Sequence, residues 1–335
     1  MEVFLTGGTG YFGQRLVHDL IGAGHNVVAL ARTPAKGQPL AAMGAGVVYG
    51  DVTDFDSVEI DLGTFDAFIH AAALVKTRAA DPQEFDRVNV QGLANVAARC
   101  IDAGVPRFLY TSSFMAIGPS PDGKPLDETA VHDPNHVHND YERTKYLGLL
   151  EFDRWLQKGL PGIALFPCVI YGPGAMTSGN LVSRAIADFL LGRMPGILGP
   201  GDLVWTYSYI EDVVEGHVQA LSNALIGQRY ILGGESLSMQ EFIETVAYIA
   251  RKRAPRLHIP YWLAKVAAFA DEVKSSVLRR EPALTRQVVE IYKHHWVYSS
   301  QKAVAELDYR ITPLRSGLAQ TIDWIKMAID EGKIR

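Results

Sequence analysis

A phenol and an ammonium stand four residues apart in Tyr141-Glu142-Arg143-Thr144-Lys145, a spacing that puts both side chains on one face of a helix. A phenol titrates near pKa ~10 and exchanges its proton efficiently near neutrality only where a cation stabilises its anion. Lys145 is placed to be that cation. Upstream, an apolar run ends in Tyr110-Thr111-Ser112-Ser113, and the carboxyl edge of a parallel strand is where an open sheet keeps its reactive groups. A Ser113 hydroxyl at such an edge can hydrogen-bond a substrate oxygen. Taken singly, the Tyr-Lys spacing also describes many exposed helix faces, so its meaning depends on what surrounds it.

A second constellation lies at the start of the chain. The run Glu2-Val3-Phe4-Leu5 reads as a strand and leads into Thr6-Gly7-Gly8-Thr9-Gly10-Tyr11-Phe12-Gly13, followed by an amphipathic stretch with Leu16, Val17 and Leu20. Gly7, Gly10 and Gly13 have the spacing for a tight turn, close approach of backbone to a pyrophosphate and close helix-sheet packing, with the phosphate at the helix N-terminus. Thr9, Tyr11 and Phe12 lie within the same dinucleotide loop. The next strand ends at Ala29-Leu30-Ala31-Arg32, where a site for NAD(H) usually offers a carboxylate to the ribose hydroxyls. Ala31 removes that carboxylate, and Arg32 with Lys36 can pair with a 2′-phosphate, so NADP(H) is favoured over NAD(H).

These residues need a scaffold, and the hydrophobic rhythm supplies one. Strand-like runs at 2–5, 26–31, 46–49, 66–70, 107–111 and 163–168 alternate with helical runs near 12–23, 84–103 and 140–158, the order of β-α-β units. The expected fold is α/β: a doubly wound parallel Rossmann sheet with a smaller, mostly helical C-terminal substrate lobe. Residues 1–171 form the dinucleotide-binding domain, with a returning strand near 228–234. Residues 172–227 and 235–335 form the lobe and closing helices, with helical runs near 180–192, 211–222, 239–253, 260–280, 284–294 and 314–331.

The order of glycine loop, Ser-bearing strand end and Tyr-Lys helix resembles the extended short-chain dehydrogenase/reductase family along nearly the whole chain. Further positions fit that resemblance: Asp51-Val52 where the family holds adenine, His70-Ala71-Ala72 beneath the cofactor, Asn89 in the next helix, and Pro167-Cys168-Val169 with Tyr171-Gly172-Pro173-Gly174 passing the nicotinamide. The resemblance implies that Tyr141 is the acid/base, that Lys145 lowers its pKa and holds the nicotinamide ribose, and that Ser113 orients the reacting oxygen. Ser112 is the alternative, but the family's residue usually lies five before a glycine, and Gly118 points to Ser113.

Departures from the family pattern narrow the substrate. Members acting on nucleotide sugars usually carry an Arg before the nicotinamide-segment Pro and another on the strand before the paired acids Glu211-Asp212; here Phe166 and Trp205 stand there. An indole cannot grip a diphosphate as a guanidinium does. Asn180 matches the nucleotide-sugar pattern but reads more simply as a helix cap. With Phe114, these two are the candidate substrate contacts. The chain looks more like the branch of dihydroflavonol reductases and hydroxysteroid dehydrogenases, which implies reduction of a small, apolar or aromatic carbonyl compound or oxidation of the alcohol. The rivals are a nucleotide-sugar epimerase/dehydratase and a non-catalytic cofactor-sensing module. Trp262, Leu263, Val266, Phe269 and Val277, in 259–280, are expected to pack into the core, with a pocket lining or a hydrophobic surface as the alternative.

Composition excludes other classes. A net charge of −5 with scattered basic residues gives no footprint for nucleic acid. Cys100 and Cys168 cannot make a disulfide framework or a zinc site. No stretch suits a membrane span or an N-terminal signal, and a cytoplasmic location is expected. His132, His136 and His138 lack the frame of a metal site, so no metal is expected. A homodimer through 84–103 and 140–158, with Leu149, Phe152 and Trp155 exposed, is expected by family analogy.

Overall fold

Strand β1 (Glu2–Thr6) is buried at every residue after Glu2, and an apolar run of this kind belongs in a parallel sheet covered on both faces. It is followed in the computed structural model by α1 (Tyr11–Gly22), β2 (Asn26–Ala31), α2 (Pro34–Ala42), β3 (Gly46–Tyr49) and β4 (Ala67–His70). Next come α3 (Gln83–Asp86), a π-helical turn at Arg87–Gln91, α4 (Gly92–Asp102), β5 (Phe108–Thr111), α5 (Asp140–Gln157) and β6 (Gly162–Pro167). The structure describes residues 1–334 apart from 77, 78, 80, 178, 179, 279–281 and 283.

The second half contributes β7 (Val169–Tyr171), α6 (Leu181–Leu190), β8 (Ile197–Leu198), β9 (Val204–Tyr209), α7 (Ile210–Asn223) and β10 (Arg229–Leu232). It closes with β11 (Ser236–Ser238), α8 (Met239–Ala250), β12 (His258–Ile259), α9 (Tyr261–Leu278), α10 (Arg286–Ile291), α11 (Gln301–Leu307) and α12 (Leu314–Asp330). The main sheet has seven strands in the order β3-β2-β1-β4-β5-β6-β10, all parallel. Its strand order reverses between β1 and β4, where open sheets of this kind form a crevice beyond their carboxyl ends. Helices α1, α7 and α11 pack as one flanking group and α4 with α5 as another. The second half adds a small sheet β11-β9-β7 and the pair β12-β8.

Three local features differ from the sequence reading. Helix α2 is absent from it because Gly37 and Pro39 weaken the helical pattern, yet a Cβ on Gly37 would meet Val47 Cγ1 at 2.8 Å, so glycine lets this helix lie on β3. The run expected as one helix at 84–103 carries the π turn at 87–91, a distortion common near functional sites. The run expected at 284–294 is helical only over Arg286–Ile291.

Burial corrects two expectations. Leu149 and Phe152 are buried rather than exposed: Phe152 packs its ring on Phe108 and Tyr110 at 6.4 and 5.3 Å, which spends them on the monomer's own sheet. Conversely, Trp262, Leu263, Val266, Phe269 and Val277 do not join the core. All five are exposed on α9, whose buried residues are Ala264, Ala268, Glu272 and Ser275. Residues 279 and 280, at the end of that expected helix, lie outside the described residues. No helix among the described residues is long and apolar enough to cross a membrane.

Candidate active site

The final residues of β1, β5 and β6, Thr6, Thr111 and Pro167, open onto a cleft of about 570 Å³. Gly7, Thr9, Gly10, Tyr11, Phe12 and Gly13 line one stretch of it, and Arg32, Lys36, Asp51 and Val52 continue that stretch. Ala71, Ala72 and Val169 line its middle, with Ser113, Tyr141 and Lys145 beyond them. Phe114 and Trp205 also line it, whereas Asn180 does not. Asn180 stands at the N-cap position of α6 without capping it: its Nδ2 donates to the Ala175 carbonyl at 3.4 Å, and its buried Oδ1 has no hydrogen-bond partner among the described residues.

The glycine loop is shaped by close approaches that only glycine permits. Gly7 has φ +83°, and a Cβ there would meet the Ala71 carbonyl carbon at 2.4 Å; on Gly13 it would meet the Gly7 oxygen at 2.1 Å. Gly7 and Gly13 therefore fold the loop onto β4 and onto itself. Gly10 differs, since the nearest atom to its Cβ position is the Gly7 oxygen at 3.5 Å. It leaves open space above the N-terminus of α1, which no side chain caps. Free N–H groups, the positive end of the helix dipole and the space beside Gly10 suit an anionic diphosphate. Arg32, exposed after β2, has no ion-pair partner among the described residues, and Asp51 caps the turn after β3 by accepting from the Thr53 N–H at 3.0 Å. The residues present thus fit a dinucleotide.

Helix α5 presents the Tyr-Lys pair. Its N-cap Asn139 accepts from the Glu142 N–H at 2.8 Å, which fixes where the helix begins and so where Tyr141 stands in its first turn. Gly148 brings the helix close: a Cβ there would meet the Tyr110 hydroxyl at 2.7 Å and the Asn89 carbonyl at 3.0 Å. Lys145 is 3% exposed; its Nζ donates to the Thr111 carbonyl at 3.3 Å and lies 5.8 Å from the Tyr141 ring centre. Desolvation lowers the Lys145 pKa to about 8. Burial pushes the Tyr141 hydroxyl up to about 12, against the pull of its hydrogen bonding with Ser113. At neutral pH this gives a protonated phenol beside a cation, a group ready to donate.

Polar contacts behind these groups hold them. Asn89, in the π turn, accepts from the Leu74 N–H at 2.7 Å and donates to Thr144 Oγ1 at 3.0 Å, tying the segment after β4 to α5. His70 Nδ1 and Thr6 Oγ1 are 2.9 Å apart at the ends of β4 and β1. Burial, helped by the Lys145 charge, drives that imidazole to about 3, so it stays neutral. Glu142 accepts from the ring nitrogens of His132 at 2.9 Å and His138 at 3.1 Å, pinning the preceding loop to α5. The three histidines thus serve the loop and, for His136, a bond to Asp133 at 2.6 Å.

The far end of the cleft was only partly readable in the sequence. Trp205 packs on Tyr292 with ring centres 4.7 Å apart and donates its indole N–H to the His294 carbonyl at 3.1 Å. Gln287, Val288, Ile291 and Tyr292, from α10 and the turn after it, share that wall with Phe114, Leu181 and Val182. These late residues carry no motif, so nothing in their spacing announces them. None of these wall residues is Lys or Arg; the cleft's described cations are Arg32, Lys36, Lys76 and Lys145. Phe166, where a guanidinium would be expected in a nucleotide-sugar site, is 1% exposed within the core.

Residues 3–233 match the model of the NAD dependent epimerase/dehydratase family. A Synechocystis sp. protein with the provisional name dihydroflavonol 4-reductase is 30% identical over 96% of this chain and 94% of its own. Sterol demethylase protein B of Methylococcus capsulatus is 30% identical over 97% of this chain and 98% of its own. Among solved structures, that of gox2253 matches with a TM-score of 0.83 at 28% identity, covering 100% of this chain and 99% of that one.

Proposed function

The chain belongs to the NAD dependent epimerase/dehydratase family and is an NAD(P)-dependent oxidoreductase; on that premise we propose that it reduces the carbonyl of a small apolar or aromatic compound with NADP(H), by Ser113-Tyr141-Lys145 chemistry. One observation carries the reading: the cleft joins a buried Tyr-Lys pair to an aromatic and aliphatic wall with no cation among its described residues. A diphosphate sugar would find no charged partner there, whereas an uncharged ring system would find Trp205, Tyr292 and Ile291. The names of two relatives, dihydroflavonol 4-reductase and sterol demethylase protein B, support the same substrate class.

In this reading the dinucleotide is held by the loop at Gly7, Gly10 and Gly13, with Arg32 and Lys36 toward a 2′-phosphate and Asp51 with Val52 toward the adenine. The labour divides accordingly, with residues 1–171 and β10 serving the cofactor and the remaining segments the substrate. Bound NADPH supplies the hydride. Ser113 donates a hydrogen bond to the substrate's carbonyl oxygen, and Tyr141 gives its proton to that oxygen as negative charge grows on it. The Lys145 ammonium stabilises the resulting phenolate until solvent returns a proton.

The test is loss of NADPH absorbance with purified protein over apolar ketones, aldehydes, flavonoid-like and steroid-like carbonyls, UDP- and GDP-sugars included, with Tyr141→Phe as control. Turnover of an uncharged carbonyl that vanishes in the variant is expected. Conversion of a nucleotide sugar without net cofactor consumption would replace this reading by the epimerase; tight cofactor binding with no turnover of any kind would replace it by the sensing module.

A further inference from the structure

Helix α9 exposes a continuous apolar face. Trp262, Val266, Phe269, Val273 and Val277 recur at helical spacing and are 68, 60, 53, 50 and 78% exposed. Of the charged residues of α9, only Lys274 is fully exposed, while Lys265, beside the stripe, is paired with Glu290 of α10. The helix's two acids are turned toward α10 instead: Asp271 accepts from the Leu284 N–H at 3.3 Å, and Glu272 from the Arg286 N–H at 2.8 Å and its guanidinium. Monomeric soluble proteins rarely leave so continuous an apolar stripe bare unless it meets something.

Charge says what it meets. Residues 251–293 carry ten Lys or Arg against four Asp or Glu, a net of +6 in a chain whose total is −5, so the apolar stripe sits in the basic region of an otherwise acidic molecule. Arg251, Arg253 and Arg256 are exposed just before α9. Two copies meeting through this face would bring like charges together, since a two-fold interface apposes the same patch with itself. An apolar stripe bearing Trp and Phe, flanked by basic residues, fits the headgroup layer of an anionic bilayer.

We propose that α9 is an interfacial helix that docks this protein on anionic lipid surfaces, its apolar face in the headgroup layer and the flanking basic residues on lipid phosphates. Its opposite face packs Ala264 and Ala268 against Val289 of α10, and α10 lines the apolar end of the cleft. Docking therefore sets that end of the cleft one helix away from the bilayer. The inference stands on exposure and charge and is independent of the reductase reading.

The experiment is flotation of the full chain with vesicles of phosphatidylcholine alone or mixed with phosphatidylglycerol, at low and high salt, beside the triple variant Trp262→Ser/Val266→Ser/Phe269→Ser. All three side chains are exposed, so the variant is expected to keep the wild-type melting temperature, read separately. Expected is binding to the mixed vesicles that weakens with salt and drops by about tenfold or more in the triple variant. Absence of binding to the mixed vesicles, or equal binding by the variant, would overturn the proposal. So would a wild-type dimer that the variant dissociates without any vesicle binding, which would assign the face to a second copy.

Discussion

The Lys145 ammonium lies 5.8 Å from the centre of the Tyr141 ring and donates to the Thr111 carbonyl at 3.3 Å, so one buried cation joins the helix bearing the phenol to the strand end before Ser113. Its pKa is lowered to about 8 by desolvation, which means that holding the charge there costs stability. Lys145→Met removes that cost. The variant is expected to lose about 10²–10⁴-fold in kcat while the cofactor-free protein gains up to ~3 kcal/mol at pH 7.

The same pair gives a pH signature. A lowered Lys pKa means the native state sheds its proton before the unfolded chain does, so wild-type stability rises, relative to Lys145→Met, between pH about 8 and the ordinary Lys value near 10.4. Denaturant melts of both proteins at pH 7 and pH 10 check this. A wild type that is the more stable of the two at pH 7 would show that attraction, not desolvation, dominates at Lys145.

Gly10 and Gly13 separate binding from folding. A Cβ on Gly13 would lie 2.1 Å from the Gly7 oxygen, whereas on Gly10 that distance is 3.5 Å. Gly13→Ala is expected to cost about 1–3 kcal/mol of stability through backbone displacement. Gly10→Ala should melt within about 0.5 kcal/mol of wild type yet bind dinucleotide at least ~10-fold more weakly. Thermal melts with fluorescence titration distinguish the two, and a Gly10→Ala protein of normal affinity would move the diphosphate elsewhere.

Arg32 tests the cofactor preference. Arg32→Ser is expected to raise the Kd for NADPH by about 10–100-fold and leave that for NADH nearly unchanged, the mark of a lost charge-assisted contact to one phosphate. Equal losses for both would show that Arg32 acts on the shared adenosine instead.

Glu142 governs acid tolerance. Burial raises its carboxyl pKa, but the hydrogen bonds from His132 and His138 outweigh that and hold it below the ordinary value. A depressed carboxyl contributes stability above its unfolded pKa of about 4.3 and loses that contribution as pH falls through the folded value. Glu142→Ala, which strips the buried His132 of its carboxylate partner and leaves it only the Asp133 carbonyl, is expected to cost about 3–5 kcal/mol at pH 7. Urea melts from pH 7 down to 3 should show the wild type losing stability more steeply than the variant.

The strands of the main sheet, the glycine loop and the Tyr-Lys helix were legible because each rests on short-range pattern. Buried parallel strands read as unbroken apolar runs, Gly7 is demanded by its own positive φ and Gly13 by contact with the loop's own backbone, and four-residue spacing fixes Tyr141 and Lys145 on one helix face whatever packs around them. Asn180 illustrates the limit: its position at the start of α6 follows from sequence, but that its amide turns to the Ala175 carbonyl and leaves the cap unmade depends on the path the folded loop takes.

The sequence by itself thus determined the sheet, the dinucleotide loop and which residues bear exchangeable protons, since those follow from periodicity and side-chain chemistry. Only the tertiary structure decided which apolar residues face protein and which face solvent. Phe152 and Phe269 are both aromatic residues on amphipathic helices, yet one packs against β5 and the other is 53% exposed. Periodicity specifies that a helix has an apolar stripe, while the body that covers the stripe, or leaves it bare, comes from residues far away in the chain. The same holds for the wall of Trp205, Ile291 and Tyr292, assembled from two distant segments that carry no shared motif.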